Sequence, residues 1–251
     1  KLLYLALMEP EQHSELLAMR TTAQKQEGRY ILDGVKTVMG RPGEDYFAVV
    51  FAILDQCKSP TCFLVEGETA GFDVQVIAGY DSSSAKIPML LKFRNCSVPE
   101  GNRLGEEGNA FSLGKRWLPS RRIVRGARSL GVAQRLLEEA ALRALSWRSF
   151  GRPVSERTSV QAALAEIATN IHACRLLVYE AAWKADKGED VQREASMAKL
   201  CATQMVHSVT DRVAHIYGGP PYIEGLAMER LCQNAIATNA IELATDLQSN
   251  I

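Results

Sequence analysis

The chain has 251 residues, with 29 Lys plus Arg against 29 Asp plus Glu and a formal net charge of zero. Apolar residues make up 47% and charged residues 23%, a balance ordinary for a soluble globular chain long enough for one large domain or two modest ones. Charge neutrality excludes the basic excess that general nucleic-acid binding needs, and no apolar run reaches the ~18 residues of a membrane span.

Residues 1–105 read as β structure. Tyr30-Ile31-Leu32 is followed by Asp33-Gly34, a hairpin-type turn signal. Tyr46 to Leu54 is an apolar run suited to a buried strand. Cys62 to Val65, Phe72 to Ile77, Lys86 to Phe93 and Cys96 to Val98 follow, divided by turn residues. Strands at this spacing, with no helical pattern between them, predict a small antiparallel barrel or sandwich.

Residues 106–251 read as helical. Ile123, Ala127, Leu130, Leu137, Ala141 and Ala144 form one helical stripe, with Leu136 and Ala140 beside it as a second apolar face. Val160, Leu164, Ile167, Ile171, Cys174, Val178 and Ala181 form a second stripe. Ala198, Cys201, Met205, Val209, Val213 and Ile216 form a third. Lys187-Gly188 divides the second helix from the third, and Gly218-Gly219-Pro220-Pro221 ends the third. A shorter helical region runs from about Met228 to Leu247. Long helices with short loops predict an antiparallel four-helix bundle, so the expected fold class is α+β with a β domain over 1–105 and a bundle over 106–251.

Motif searches yield little chemistry of their own. Gly108 to Lys115 has the wrong glycine spacing for a phosphate loop and lacks the following Ser or Thr, so it reads as a turn before a helix. His207, Asp211 and His215 lie four apart, but the outer pair is roughly 12 Å apart along a helix, which suits a polar face better than a metal site. No metal is expected. The six cysteines form no CxxC pair or zinc pattern and read as reduced thiols of an intracellular chain. One cluster says more. Lys115, Arg116, Arg121, Arg122, Arg125 and Arg128 gather near one helix start, as either a solvated face or a site for a small phosphate-bearing anion.

Several ordered pieces resemble the acyl-CoA dehydrogenase family. They are Leu7-Met8-Glu9-Pro10 with Ser14, Leu32-Asp33-Gly34-Val35-Lys36, and Val98-Pro99 followed by Leu104-Gly105. Arg148-Ser149-Phe150-Gly151-Arg152-Pro153-Val154 is similar to the family's RxxFGxPI. Ser196-Met197-Ala198-Lys199, Gly218-Gly219 with Tyr222, Glu229-Arg230 and Glu242 complete the set. The resemblance covers the family's middle β domain and C-terminal helical domain, without its N-terminal helical domain.

What the resemblance implies is an FAD-dependent α,β-dehydrogenation of an acyl-CoA thioester, in which a carboxylate takes the α proton and FAD accepts the β hydride. By register Glu242 is the base; the family's other base position is filled here by Arg121. Arg148, Phe150, His215, Gly218 and Gly219 match positions on the FAD diphosphate and adenosine across a subunit interface, and Ser14 and Arg122 match positions near CoA. The implied partners are an acyl-CoA, an electron-transfer flavoprotein, and a second copy of the chain in a homodimer or homotetramer, or an active relative in a hetero-oligomer. The implied compartment is the bacterial cytoplasm or mitochondrial matrix. Against the pattern, Met8, Val38 and Gly40 replace residues beside the flavin, His215 replaces a Gln, Pro221 a Gly, Gln233-Asn234 an Arg-Asp, and Leu243-Ala244 the Gly-Thr after the base. These departures leave a second expectation, a catalytically silent subunit that pairs with an active relative.

Overall fold

The computed structural model describes residues 2–10, 19–41, 43, 45–57, 59–77, 87–223 and 225–240, the side chains of 116 and 237–240 excepted. The chain divides into two compact units, Lys1–Arg116 and Trp117–Ile251.

The first unit is an eight-stranded sheet. Its strands are β1 (Leu2–Ala6), β2 (Thr22–Gln26), β3 (Arg29–Gly40), β4 (Tyr46–Leu54), β5 (Pro60–Glu66), β6 (Phe72–Val76), β7 (Ile87–Pro99) and β8 (Arg103–Leu104). Their order is β6-β7-β3-β2-β4-β5-β8, with β1 on β4. Most pairs are antiparallel, as closely spaced strands with no helices between them predict. Two are parallel, β1–β4 and β2–β4, so the sheet is mixed rather than purely antiparallel. Aromatic rings fill its core: Phe72 stacks on Phe93 at 4.8 Å between centroids, and Tyr30 meets Phe63 at 4.9 Å.

The Asp33-Gly34 turn signal was misleading. Residues 33 and 34 lie inside β3 at an irregularity in its pairing with β7, and the β2–β3 turn is at Glu27-Gly28. Gly34 is required there for another reason. Its φ is 149°, and a Cβ would stand 2.6–2.8 Å from Thr21. Asp33 Oδ1 accepts a bond from the Asn95 backbone N–H at 2.8 Å across the same irregularity. The two predicted strands over 86–98 are one strand, β7, in which Asn95 takes a φ of 47°.

The second unit holds the helices, the first of which starts at the end of the β unit's chain. They are α1 (Ala110–Ser146), α2 (Thr158–Asp186), α3 (Gln192–Tyr217) and α4 (Ala227–Ala240). Glu166–Arg212 and Lys184–Glu194 pair in opposite order along α2 and α3, so these helices are antiparallel. Arg122–Ser196 and Glu139–Tyr217 pair in the same order along α1 and α3, which run parallel. The core face of α1 is Ile123, Leu130, Ala133, Leu136, Ala140 and Ala144. Leu136 and Ala140, expected beside the main stripe, are thus at the centre of the buried face, and Ala127 of the expected stripe is exposed. Ile123, Leu130 and Ala144 of the expected stripe stay buried, while 136 and 140 take the core in place of 137 and 141, because 3.6 residues per turn lets two overlapping sets fit one pattern.

Cys174 of α2 and Cys201 of α3 are joined as a disulfide with Cα atoms 6.1 Å apart, against the reading of all six cysteines as reduced. Chain spacing could not show this, because the two thiols meet only when the helices pack. The remaining cysteines are free; burial pushes the thiol of Cys62 up to about 12 and that of Cys96 to about 11.

Candidate active site

The basic cluster at the start of α1 separates into two kinds of cation. Arg121 lies over the Trp117 ring at 5.4 Å, and Arg128 reaches Asn234 of α4 at 3.4 Å. Arg122 turns inward. Its NH1 donates to Ser196 Oγ at 2.6 Å, and Ser196 Oγ in turn donates to the Gln192 carbonyl at 2.7 Å. Its Nε is buried and has no partner, and no carboxylate pairs with it among the described residues. Burial lowers the affinity of this guanidinium for its proton. A half-buried cation with an unused donor can accept an anion, since leaving it unpaired costs free energy.

The other predicted residues gather where α1 and α3 end. After α1 the chain forms a small hairpin of β9 (Arg148–Ser149) and β10 (Arg152–Pro153). Phe150 sits at its tip with a φ of 53° and is 99% exposed, an aromatic ring held outward by a strained backbone. Arg148 is exposed and reaches the Gly151 carbonyl at 3.4 Å. His215 is exposed, with Nδ1 at 2.8 Å from the Asp211 carbonyl. Gly218 ends α3 with a φ of 77°, a conformation that favours Gly, and an added Cβ at Gly218 or Gly219 would meet nothing within 4 Å. An open glycine turn of this kind lets a ligand approach backbone. Among the described residues no group of three or more His, Cys, Asp or Glu could hold a metal ion.

The ends of α1 and α3 are tied by residues that sequence reasoning did not single out. Arg143 stacks on the Trp147 ring at 3.8 Å and faces the Tyr217 ring at 5.6 Å. Tyr217 donates to Glu139 at 3.1 Å, and the Trp147 carbonyl accepts from Val154 N–H at 3.0 Å. The motif spacing RxxF also bears on Trp147. Counted back from Phe150, the Arg of that motif falls on Trp147, and Arg148 stands one residue later.

In the β unit, Glu9 and Lys36, quoted above as separate motif pieces, form a buried ion pair at 2.9 Å. Lys36 also donates to the Leu7 carbonyl at 3.2 Å, and Glu9 accepts from Thr21 Oγ at 2.6 Å and from the Arg20 and Thr21 backbone. Burial holds Lys36 down to about 8, while its bonds from Thr21 and Lys36 keep Glu9 below its ordinary value. Thr37 N–H bonds the Met8 carbonyl at 2.8 Å, so this network fixes the Leu7–Glu9 backbone. Nearby, Val38 is buried, and the space a side chain at Gly40 would use holds Met89 Cε at 2.8 Å and the Tyr4 ring.

Two predicted residues, Ser14 and Glu242, lie outside the described residues, as do Leu243 and Ala244. The remaining ones fall in two places. Arg122 stands a third of the way along α1 and the hairpin follows its far end, roughly 35 Å away at 1.5 Å per residue.

Residues 111–251 match the family model described as acyl-CoA dehydrogenase, C-terminal domain, which spans more than half of the chain. The chain belongs to the acyl-CoA dehydrogenase family. It is 35% identical to an acyl-CoA dehydrogenase of Bacillus subtilis (strain 168), over 97% of this chain and 65% of that protein. It is 32% identical to the mitochondrial short-chain specific acyl-CoA dehydrogenase of Sus scrofa, over 97% of this chain and 60% of that protein. The solved butyryl-CoA dehydrogenase of Megasphaera elsdenii superposes with a TM-score of 0.90 at 30% identity, covering 100% of this chain and 67% of that one. The chain thus spans 60–65% of the length of these two curated relatives.

Proposed function

We propose that this chain is the middle and C-terminal part of an FAD-dependent acyl-CoA dehydrogenase, which forms the α,β double bond of an acyl-CoA thioester. The observation that carries this reading is Arg122, a half-buried guanidinium with an unpartnered Nε and no carboxylate paired with it among the described residues. It suits an anionic ligand such as a CoA ester, with Ser14 as its companion by family register. The open Gly218-Gly219 turn, His215, Arg148 and the outward Phe150 suit the diphosphate and adenosine of FAD. When bound, FAD supplies hydride acceptance at the β carbon.

The chain's own part is the proton. Glu242 takes the α proton on a carboxylate oxygen, and a desolvated carboxylate is the stronger base for it. Because Arg122 and the Phe150 hairpin lie roughly 35 Å apart along α1, a second copy of the chain completes each site, as a homodimer or homotetramer. An electron-transfer flavoprotein is the acceptor that goes with this reading, and the bacterial cytoplasm or mitochondrial matrix the compartment.

The test uses the full-length protein. A flavin spectrum that bleaches anaerobically with an acyl-CoA, and bleaches ~10²–10⁴ more slowly in Glu242→Gln, is the expected result. Bound FAD that no acyl-CoA bleaches would favour the silent subunit that the departures at Met8, Gly40 and Ala244 suggest.

A further inference from the structure

We propose that Arg143 is an anion-binding residue at the joined ends of α1 and α3, and that it supplies the guanidinium for the diphosphate of the cofactor. The inference rests on the FAD-binding reading above and deepens it.

Three observations point to Arg143. First, its guanidinium is held in place by rings rather than by an acid. It lies 3.8 Å from the Trp147 centroid and 5.6 Å from the Tyr217 centroid. Stacking of this kind orients the planar fork while leaving its N–H edge for a ligand. Second, its Nε is buried without a hydrogen-bond partner, and no ion pair to it exists among the described residues. The carboxylate one turn earlier, Glu139, is already engaged, with Arg135 at 2.5 Å and the Tyr217 hydroxyl at 3.1 Å. Arg143 is therefore a positioned cation with no neutralising carboxylate among the described residues.

Third, its position joins the two segments that the cofactor needs. Tyr217 is followed directly by Gly218, whose turn is exposed. Trp147 is followed directly by the hairpin that carries Phe150. A doubly charged diphosphate lying against the Gly218-Gly219 backbone would find the Arg143 fork beside it, since Tyr217 links the two.

The same arrangement accounts for the displaced motif. RxxF spacing would put an Arg at 147, where this chain has Trp. Trp147 directly follows α1, and its backbone N–H still bonds the Arg143 carbonyl at 2.8 Å, so the two positions share a face one turn apart. A guanidinium at 143 stacked back over Trp147 places charge on that same face. Arg148 lies on the exposed hairpin instead and bonds its own turn at Gly151.

The experiment measures FAD dissociation constants by flavin fluorescence, with thermal midpoints as a check of folding, on the full-length protein. Arg143→Gln should weaken FAD binding at least tenfold, more than Arg148→Gln does. Arg143→Lys keeps charge but loses the planar fork and should fall between wild type and Arg143→Gln. The double variant Arg143→Gln/Trp147→Arg moves the charge one turn along the face and should recover most of the affinity, which a purely structural role for Arg143 would not allow. Unchanged affinity in Arg143→Gln, or no recovery in a folded double variant, overturns the proposal. Inorganic pyrophosphate and ADP, followed by calorimetry, separate it from the underlying reading. If wild type takes no FAD but binds these anions in an Arg143-dependent way, the anion site stands and the cofactor assignment falls. If it binds none of the three, both fall.

Discussion

Lys36 Nζ lies 2.9 Å from Glu9 Oε1, and neither side chain is open to solvent. A buried pair of this kind is stable only when its other lone pairs and protons find partners, and here the Leu7 carbonyl, Thr21 Oγ and two backbone N–H groups supply four such bonds. Its effect is to pin the Leu7–Glu9 segment that follows β1 to β3.

Removing one partner should be far worse than removing both. Glu9→Gln or Lys36→Met alone should each cost ~3–5 kcal/mol, because each strands a buried group. The double variant should cost much less than the sum of the two. Urea denaturation of the three variants measures the coupling, and strictly additive losses would show that the pair is not a unit.

Gly34 and Gly131 should respond to Ala with opposite signs. Gly34 has a φ of 149° and Thr21 within 2.6–2.8 Å of any Cβ, so Gly34→Ala should destabilise by more than ~1 kcal/mol. Gly131 lies within α1 with nothing near its Cβ position, so Gly131→Ala should stabilise by ~0.5–1 kcal/mol. Thermal midpoints of the two variants check the pair.

Glu194 should set part of the acid sensitivity of the helical unit. Its bond from Lys184 of α2, with help from its backbone and Arg193, holds its carboxyl down to about 2. A carboxyl lowered on folding contributes stability that is fully present above its ordinary 4.5 and is lost as pH falls toward 2. Melting temperature should therefore drop across that window, and Glu194→Gln should flatten the drop. An identical pH profile in the variant would remove Glu194 from the account.

Arg122→Gln should weaken acyl-CoA binding by tenfold or more, the scale of a lost hydrogen bond to a charged group, while leaving the melting temperature near wild type. Lys in its place keeps charge without the fork and should recover only part of the affinity. Calorimetric titration with a non-reactive acyl-CoA analogue reads this directly.

Assembly is expected through the outer faces of α1 and α2. Leu176, Tyr179 and Trp183 follow one face of α2 at 56–63% exposure, and Leu142 and Leu145 stand out from α1. Light scattering should give a dimer or tetramer, and Tyr179→Glu with Trp183→Glu should shift it toward monomer. A wild-type monomer at micromolar concentration would count against a shared site.

The sequence by itself determined the order of elements and the family. β4 spans the predicted 46–54, and the division of the helices at Lys187-Gly188 and at Gly218 stands, because apolar periodicity and chain-breaking residues are local signals. Motif order along the chain was likewise enough to point to the acyl-CoA dehydrogenases. Only tertiary structure decided the rest. It placed Asp33-Gly34 inside a strand, since the need for Gly came from Thr21 on a neighbouring segment rather than from a turn. It turned Leu136 and Ala140 inward, since two overlapping stripes are equivalent until a partner helix chooses between them. It joined Cys174 to Cys201 and Glu9 to Lys36, pairs that are distant in the chain. The Arg143–Trp147–Tyr217 stack belongs to the same class. An aromatic sandwich around a cation is made of residues from two helices, and no one-dimensional spacing rule carries their approach.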